Sequence, residues 1–344
     1  MLILCMFSCT VDYGEHYVRY NGFPEEIMLK AVAETVQPDT VFLRYPFRIA
    51  VRDSLAVVMD LHNTDYYFHA FTYPDWKYVA AFGRRGEGPE EMLSAETFRF
   101  LSYDSLWALD ANRQQISRWR ISPVERSAER LEVIDLDKSL VRTLDFCVTD
   151  DGFIVPDYLG AFRYHRLSPQ GETIRSEGDI PTEKKRDDGS RPALAQAWRS
   201  FVNFHPRRDI LVMATQLGET LEIFHLKDSV RTVVYGPYGE PEFRIVQNES
   251  IPIGIMGFSD VCVTDSFIYA VFHGRTFRDI QAVLQKGEPS ESGGRSIYVF
   301  DLNGKPARKY TLDRAIYGIN VDEQKRIITA TDVNHDEQII RFEI

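Results

Sequence analysis

Four aspartates close apolar runs in this sequence: Asp60, Asp110, Asp157 and Asp332. Polar residues follow them or stand at matching places: His62, Asn63, Asn112, Arg113, Tyr158 and His273. Acids, amides, imidazoles and a phenol gathered at strand ends can form a cup for a sugar, a peptide or a cation. The same aspartates can instead cap their own turns by accepting local backbone N–H groups. Arg84 and Arg85 offer guanidinium groups that hold a carboxylate or phosphate in bidentate fashion. In their Gly-rich surroundings they read equally well as part of a solvated turn.

No motif names a catalytic residue, and none is assigned. Asp332, Asn334, Asp336 and Glu343 have the spacing of a calcium loop, but Glu337 stands where that loop needs glycine. Gln338–Phe342 reads as a strand, so the segment is expected to be a hairpin turn. The eight histidines are scattered, without an H-E-x-x-H pair, and no G-x-S-x-G elbow occurs. A Ser-His-Asp set assembled by the fold is spelled out by nothing in the sequence. Cys147 and Cys262 lie in Phe146-Cys147-Val148-Thr149-Asp150 and Val261-Cys262-Val263-Thr264-Asp265, the same place in two copies of one unit. They are expected to be small buried residues, not a disulfide, because two units of a radial fold hold them too far apart.

That unit is the organising feature of the chain. Six segments repeat an apolar strand, a polar turn and a second apolar strand: residues 47–60, 98–110, 144–157, 201–215, 258–272 and 316–332. Their turns fall near Asp53, Asp104, Asp151, Arg208, Asp265 and Gln324. The intervals are roughly 50 residues, close to a propeller blade. Third strands follow at Tyr66–Phe71, Gln115–Trp119, Arg163–Leu167, Leu221–His225, Ser296–Phe300 and Gln338–Phe342, and most units add a second turn and a fourth strand. The expected fold is all-β: a six-bladed β-propeller of four-stranded antiparallel blades. The blades run over about 47–90, 98–137, 143–181, 194–237, 257–313 and 315–344. The last unit ends after its third strand, so an N-terminal strand from 29–45, either Leu29–Val36 or Thr40–Tyr45, is expected to close the ring. Residues 29–344 then form a single domain.

Two insertions interrupt the rhythm. Thr182–Arg191 is polar; Thr276–Arg295 places Phe277, Ile280, Val283 and Leu284 on one helical face before a Gly/Ser-rich half. Either is a lid or partner-binding element, or a tolerated surface loop.

Gly83-Arg84-Arg85-Gly86-Glu87-Gly88-Pro89-Glu90-Glu91-Met92 lies between the first two units. It resembles the G-x-x-G-x-G-P-x-x-[FM] blade junction of NHL-type propellers. With the six units and a Ser8-Cys9 start, the chain resembles the bacterial TolB-like/NHL-like six-bladed propeller lipoproteins. The resemblance implies a ligand site at the channel mouth formed by the loops after second strands and between blades. It also implies an alternative: lactonase-like relatives hold a divalent metal by Glu, Asn and Asp from different blades.

Net charge is −11, which argues against nucleic acid as a partner. No apolar stretch is long enough to span a bilayer. Residues 1–9 resemble the end of a lipoprotein signal peptide, with Cys9 as the lipidation site and 10–28 as a tether, although the apolar stretch is short and carries no basic start. The expectation is a monomeric, non-catalytic envelope protein, lipid-anchored on the periplasmic or outer face. It would bind a glycan, a peptide or an envelope protein. The alternative is a metal-dependent hydrolase; no other cofactor is implied.

Overall fold

The computed structural model describes residues 13–36, 41–183, 190–287 and 290–344. Six small sheets stand in a ring, and each runs from a strand beside the central axis outward. Blade 1 comprises Pro46–Arg52, Leu55–Asp60, Tyr66–Thr72 and Tyr78–Arg84. Blade 2 comprises Ala95–Phe100, Ser105–Asp110, Gln115–Ser122 and Ser127–Asp135. Blade 3 has Cys147–Thr149, Gly152–Pro156, Tyr164–Leu167 and Thr173–Glu177; blade 4 has Ser200–His205, Ile210–Thr215, Thr220–His225 and Val230–Tyr235. Blade 5 has Phe258–Val263, Phe267–Phe272, Gly294–Asp301 and Pro306–Ile316. Blade 6 has Ile319–Asp322, Ile327–Thr331 and Ile339–Glu343. The protein is thus a six-bladed β-propeller, as its repeats predict.

The second strand of each blade explains why repetition builds a core. Leu55–Asp60, Ser105–Asp110, Gly152–Pro156 and Ile210–Thr215 are buried along their whole length, because both sheet faces meet a neighbouring blade. The hydrophobic core is accordingly split among the blade junctions. Phe68, Phe82 and Trp119 pack between blades 1 and 2, and Trp107, Phe146 and Phe153 between blades 2 and 3. Tyr164, Met213 and Phe224 fill the next junction, and Phe201, Phe258 and Phe272 the one after it. Tyr269, Ile328 and Phe342 join blades 5 and 6, and Phe71, Trp76 and Ile339 join blade 6 back to blade 1.

The N-terminal segment departs from the expected tether. Strand β1 (Gly14–Arg19) pairs in parallel with the outer strand of blade 4, and β2 (Glu26–Leu29) in parallel with that of blade 5. Strand β3 (Val32–Ala33) then pairs antiparallel with Ile340 and Arg341 and completes blade 6. The closing strand therefore falls inside the expected Leu29–Val36, while the residues before it form a strap along the outer edges of two blades. Side chains fasten this strap: Tyr20 donates to Glu219 Oε1 at 2.6 Å, Tyr13 to Glu177 Oε2 at 2.8 Å, and Glu15 pairs with buried Arg231. Cys5 and Cys9 lie outside the described residues.

Two further elements are absent from the repeat pattern. Helix α1 (Arg191–Ala197), capped by Ser190, packs Ala195, Ala197 and Trp198 against Val233 and Tyr235 of blade 4. A hairpin of Phe243–Val246 and Glu249–Pro252 lies beside it. Helix α2 (Phe277–Gln285) occupies the first half of the second insertion, as its apolar spacing predicts, and buries no residue completely.

Candidate functional site

The inner strands run toward one end of the ring, where they turn into the second strands. A cavity of about 310 Å³ opens at that end. All six inner strands contribute to its wall, through Arg52, Phe100, Thr149, Asn203, Cys262 and Asn320 among others.

Its floor is a set of ion pairs across the axis. Arg48, from blade 1, pairs with Asp260 of blade 5 and lies 3.8 Å from Asp145 of blade 3. Arg99, from blade 2, donates to Asp145 Oδ1 at 2.7 Å and to the Val202 carbonyl at 2.7 Å. Beyond this layer, toward the other mouth, a small pocket of about 10 Å³ lies among Phe47, Glu96, Tyr158, Arg199 and Phe201. The channel is a blind cup.

The acids also join the blades. Asp145 accepts from Val202 N of blade 4 at 3.1 Å, and Asp260 accepts from Ile319 N of blade 6 at 2.9 Å. Asn203 accepts from Val263 N of blade 5 at 3.2 Å, and Asn320 from Val51 N of blade 1 at 3.0 Å. From blade 3 around to blade 1, each inner strand reaches the next by one side-chain oxygen. Such contacts satisfy backbone donors that a short strand leaves free at the axis.

Two arginines oppose two carboxylates, so the floor is close to neutral. Burial works against the Arg99 charge, but Asp145, Cys147 and Asp260 together offset it and hold the guanidinium above its ordinary range. Burial also pushes the Asp260 carboxyl up, with Arg48 opposing. Cys147 and Cys262 are free thiols on the wall, and burial pushes both up to about 12. Neutral thiols are poor nucleophiles and poor metal ligands.

None of the twelve residues singled out from the sequence lines this cavity. The four aspartates hold loops. Asp60 accepts from Arg44 N, Tyr45 N, His62 N and Asn63 N at 2.6 to 3.1 Å. Asp110 accepts from Leu93 N, Ser94 N and Arg113 N. Asp157 accepts from Leu159 N and Phe162 N, and Asp332 from Asn334 N and His335 Nδ1. Their positions match along the blades, but they stand around the rim opposite the cup and do not converge. Arg85 lies 3.8 Å over the Tyr67 ring and donates to the Leu61 carbonyl, and Arg113 donates to the Glu87 and Gly88 carbonyls at 2.8 Å. Arg84 is exposed and 3.5 Å from Glu91. His62 is exposed and stacks near Tyr45, Asn112 is exposed, and His273 is half-buried with Arg275 beside it. Tyr158 has a buried hydroxyl without a partner.

The six polar channel residues went unnoticed in the sequence. The available signal was Asp145-Phe146-Cys147-Val148-Thr149-Asp150 against Asp260-Val261-Cys262-Val263-Thr264-Asp265: an acid repeated at one position of an inner strand.

A metal held by the channel acids would need an open place between them. Arg48 and Arg99 fill that place, so this donor set does not fit the metal centre of the lactonase-like relatives. Among the described residues no group of three or more His, Cys, Asp or Glu side chains could hold a metal ion.

The sequence profile of the family described as TolB-like 6-blade propeller-like matches residues 22–324, and the chain belongs to that family. Among solved structures it resembles a DUF4221-family protein from Bacteroides vulgatus, with 9% identity, TM-score 0.58 and coverage of 92% of this chain and 97% of that one. It also resembles a Bacteroides fragilis protein described as exported, with 11% identity, TM-score 0.55 and coverage of 95% and 98%. At these identities the likeness is one of fold. No curated protein matches the sequence.

Proposed function

We propose that the channel binds, and does not transform, a small polar ligand presented to it at the cell envelope. The observation that carries this reading is the blind cup of about 310 Å³ walled by all six blades. Its size is at the lower end of small-molecule sites. The amide oxygens of Asn203 and Asn320 are taken by backbone donors, which leaves their NH₂ groups for a ligand. Arg52, exposed at the rim, has no ion-pair partner among the described residues. A wall richer in donors than in free acceptors suits carboxylate or hydroxyl oxygens, as in an acidic sugar or a peptide C-terminus.

An envelope location rests on the lipobox-like Ser8-Cys9 and on the description of one structural relative as exported. Among the described residues no helix is long and apolar enough to cross a membrane. Attachment through acylated Cys9 rests on the lipobox-like start. In bacteria expressing the chain, the Cys9→Ser variant is expected to lose incorporation of a fatty-acid analogue and to leave the membrane fraction. Retention of both would end this part of the reading.

For the channel, a thermal-shift screen of acidic oligosaccharides and short peptides should yield a ligand whose affinity falls at least tenfold in Asn203→Ala/Asn320→Ala. Arg52→Ala, at the exposed rim, gives the same test without touching the blade contacts. Ligands whose affinity neither change alters would place binding elsewhere.

A further inference from the structure

A second cavity, of about 230 Å³, lies away from the axis in blade 3. Ser176, His165 and Asp157 line it together. Ser176 Oγ is 2.8 Å from His165 Nδ1, and His165 Nε2 is 3.5 Å from Asp157 Oδ1. The fold makes this meeting local. His165 and Ser176 face each other in register across the third and outer strands, and Asp157 ends the run of the second strand.

The carboxylate is held in the state that a triad needs. Asp157 is buried, which acts to raise its pKa. The hydrogen bond from His165 and the N–H groups of Leu159 and Phe162 outweigh that and keep it below its ordinary range. An ionised Asp157 favours the proton on Nε2, leaving the Nδ1 lone pair toward the Ser176 hydroxyl. The ring of Phe162 packs edge-on to His165 at 6.0 Å and fixes its plane. Nδ1, not Nε2, faces the serine, the reverse of the common triad; the three roles are unchanged.

Thr173 and Tyr158 also line this cavity. A bulge brings Thr173 onto the face of Ser176: the two pair with Leu167 and His165, two residues apart on the third strand. The Thr173 hydroxyl faces Asp137, and the Tyr158 hydroxyl lies toward Arg199, Asp145 and Glu96 on the channel side.

We propose that Ser176, His165 and Asp157 form an acyl-transfer site for small esters with an apolar acyl group, which Leu140, Leu159 and Phe162 on the cavity wall would cover. Ser176 Oγ adds to the ester carbonyl carbon while His165 Nδ1 takes the hydroxyl proton. The tetrahedral adduct collapses, the ester C–O bond breaks, and the alcohol leaves with that proton. Water, giving a proton to the same nitrogen, then adds to the acyl-serine; its collapse returns the proton to Ser176 and releases the carboxylic acid.

The test uses the full chain with a fluorophosphonate probe, peptide mapping and p-nitrophenyl butyrate hydrolysis. The expected result is a single adduct on Ser176 and measurable hydrolysis. Ser176→Ala should abolish both at an unchanged melting temperature, and His165→Gln should slow both by at least about 100-fold. No adduct on Ser176 in the folded wild-type chain, or equal labelling in the folded His165→Gln variant, overturns the proposal. Channel binding is a separate readout: it should be unaltered in Ser176→Ala, so failure at either site leaves the other reading standing.

Discussion

Asp145 and Asp260 each do two things at once. Each neutralises a buried arginine and each receives a backbone N–H from the next blade. Removing Asp260 takes from buried Arg48 its close counter-charge and leaves only Asp145, 3.8 Å away and shared with Arg99; breaking a buried pair typically costs about 3–5 kcal/mol. Asp260→Ala is therefore expected to lose stability of that order in urea unfolding, whereas Asp265→Ala, half-exposed on the same blade, should lose far less. Histidines give the pH dependence. Burial, with the Arg275 charge, lowers His273 from the ordinary 6.5 to about 4, and burial lowers His69 as well. Between these limits the unfolded chain takes up a proton that the folded chain refuses, so stability falls as pH drops from about 6.5 toward 4. Melting temperatures at pH 7 and pH 5 should differ, and His273→Gln should narrow the difference. At this scale the sequence was least legible. A turn-capping aspartate and a ligand-binding aspartate look alike until their backbone donors are known, and Arg48 or Asn320 in an inner strand looks like any outward-facing polar residue.

Blade strands were legible because each alternates or runs apolar between turn residues. Asp53 and Asp209 adopt left-handed φ values of 54 and 52° in those turns. Gly83 does similar service at the first blade junction: at φ 65° it passes so close to Phe68 that a Cβ would lie 2.7 Å from the ring. The strap was not legible. Strands β1 to β3 take their partners from residues more than two hundred positions away, without a turn to announce them. Helix α1 was missed for its brevity, although Ser190 and Pro192 mark its start. The strap covers strand edges that would otherwise offer free N–H and C=O groups. Deleting residues 1–21 should lower the melting temperature, leave Arg231 without Glu15, and produce concentration-dependent association in light scattering. Unchanged mass at all concentrations would show that the blade 4 edge needs no cover.

At the scale of the whole ring, the six interblade cores are joined in series and the last joint depends on β3. Glu34 N adds a bond to the Ile339 carbonyl at 2.9 Å. A chain lacking residues 1–36 leaves blade 6 with three strands. It is expected to replace one cooperative unfolding transition with two, blade 6 and its neighbours melting first. Fluorescence and circular dichroism followed through the same urea titration would separate them; coincident curves would mean that the core joints alone close the ring.

The pairing of Val32 and Ala33 with Arg341 and Ile340 also orders events in time. The chain is made from its N-terminus, yet these residues have no partner until the last few have been synthesised. Contacts that span nearly the whole chain form slowly, since so much of it must be gathered first. Blades can assemble one after another, but the circle stays open until the end is present.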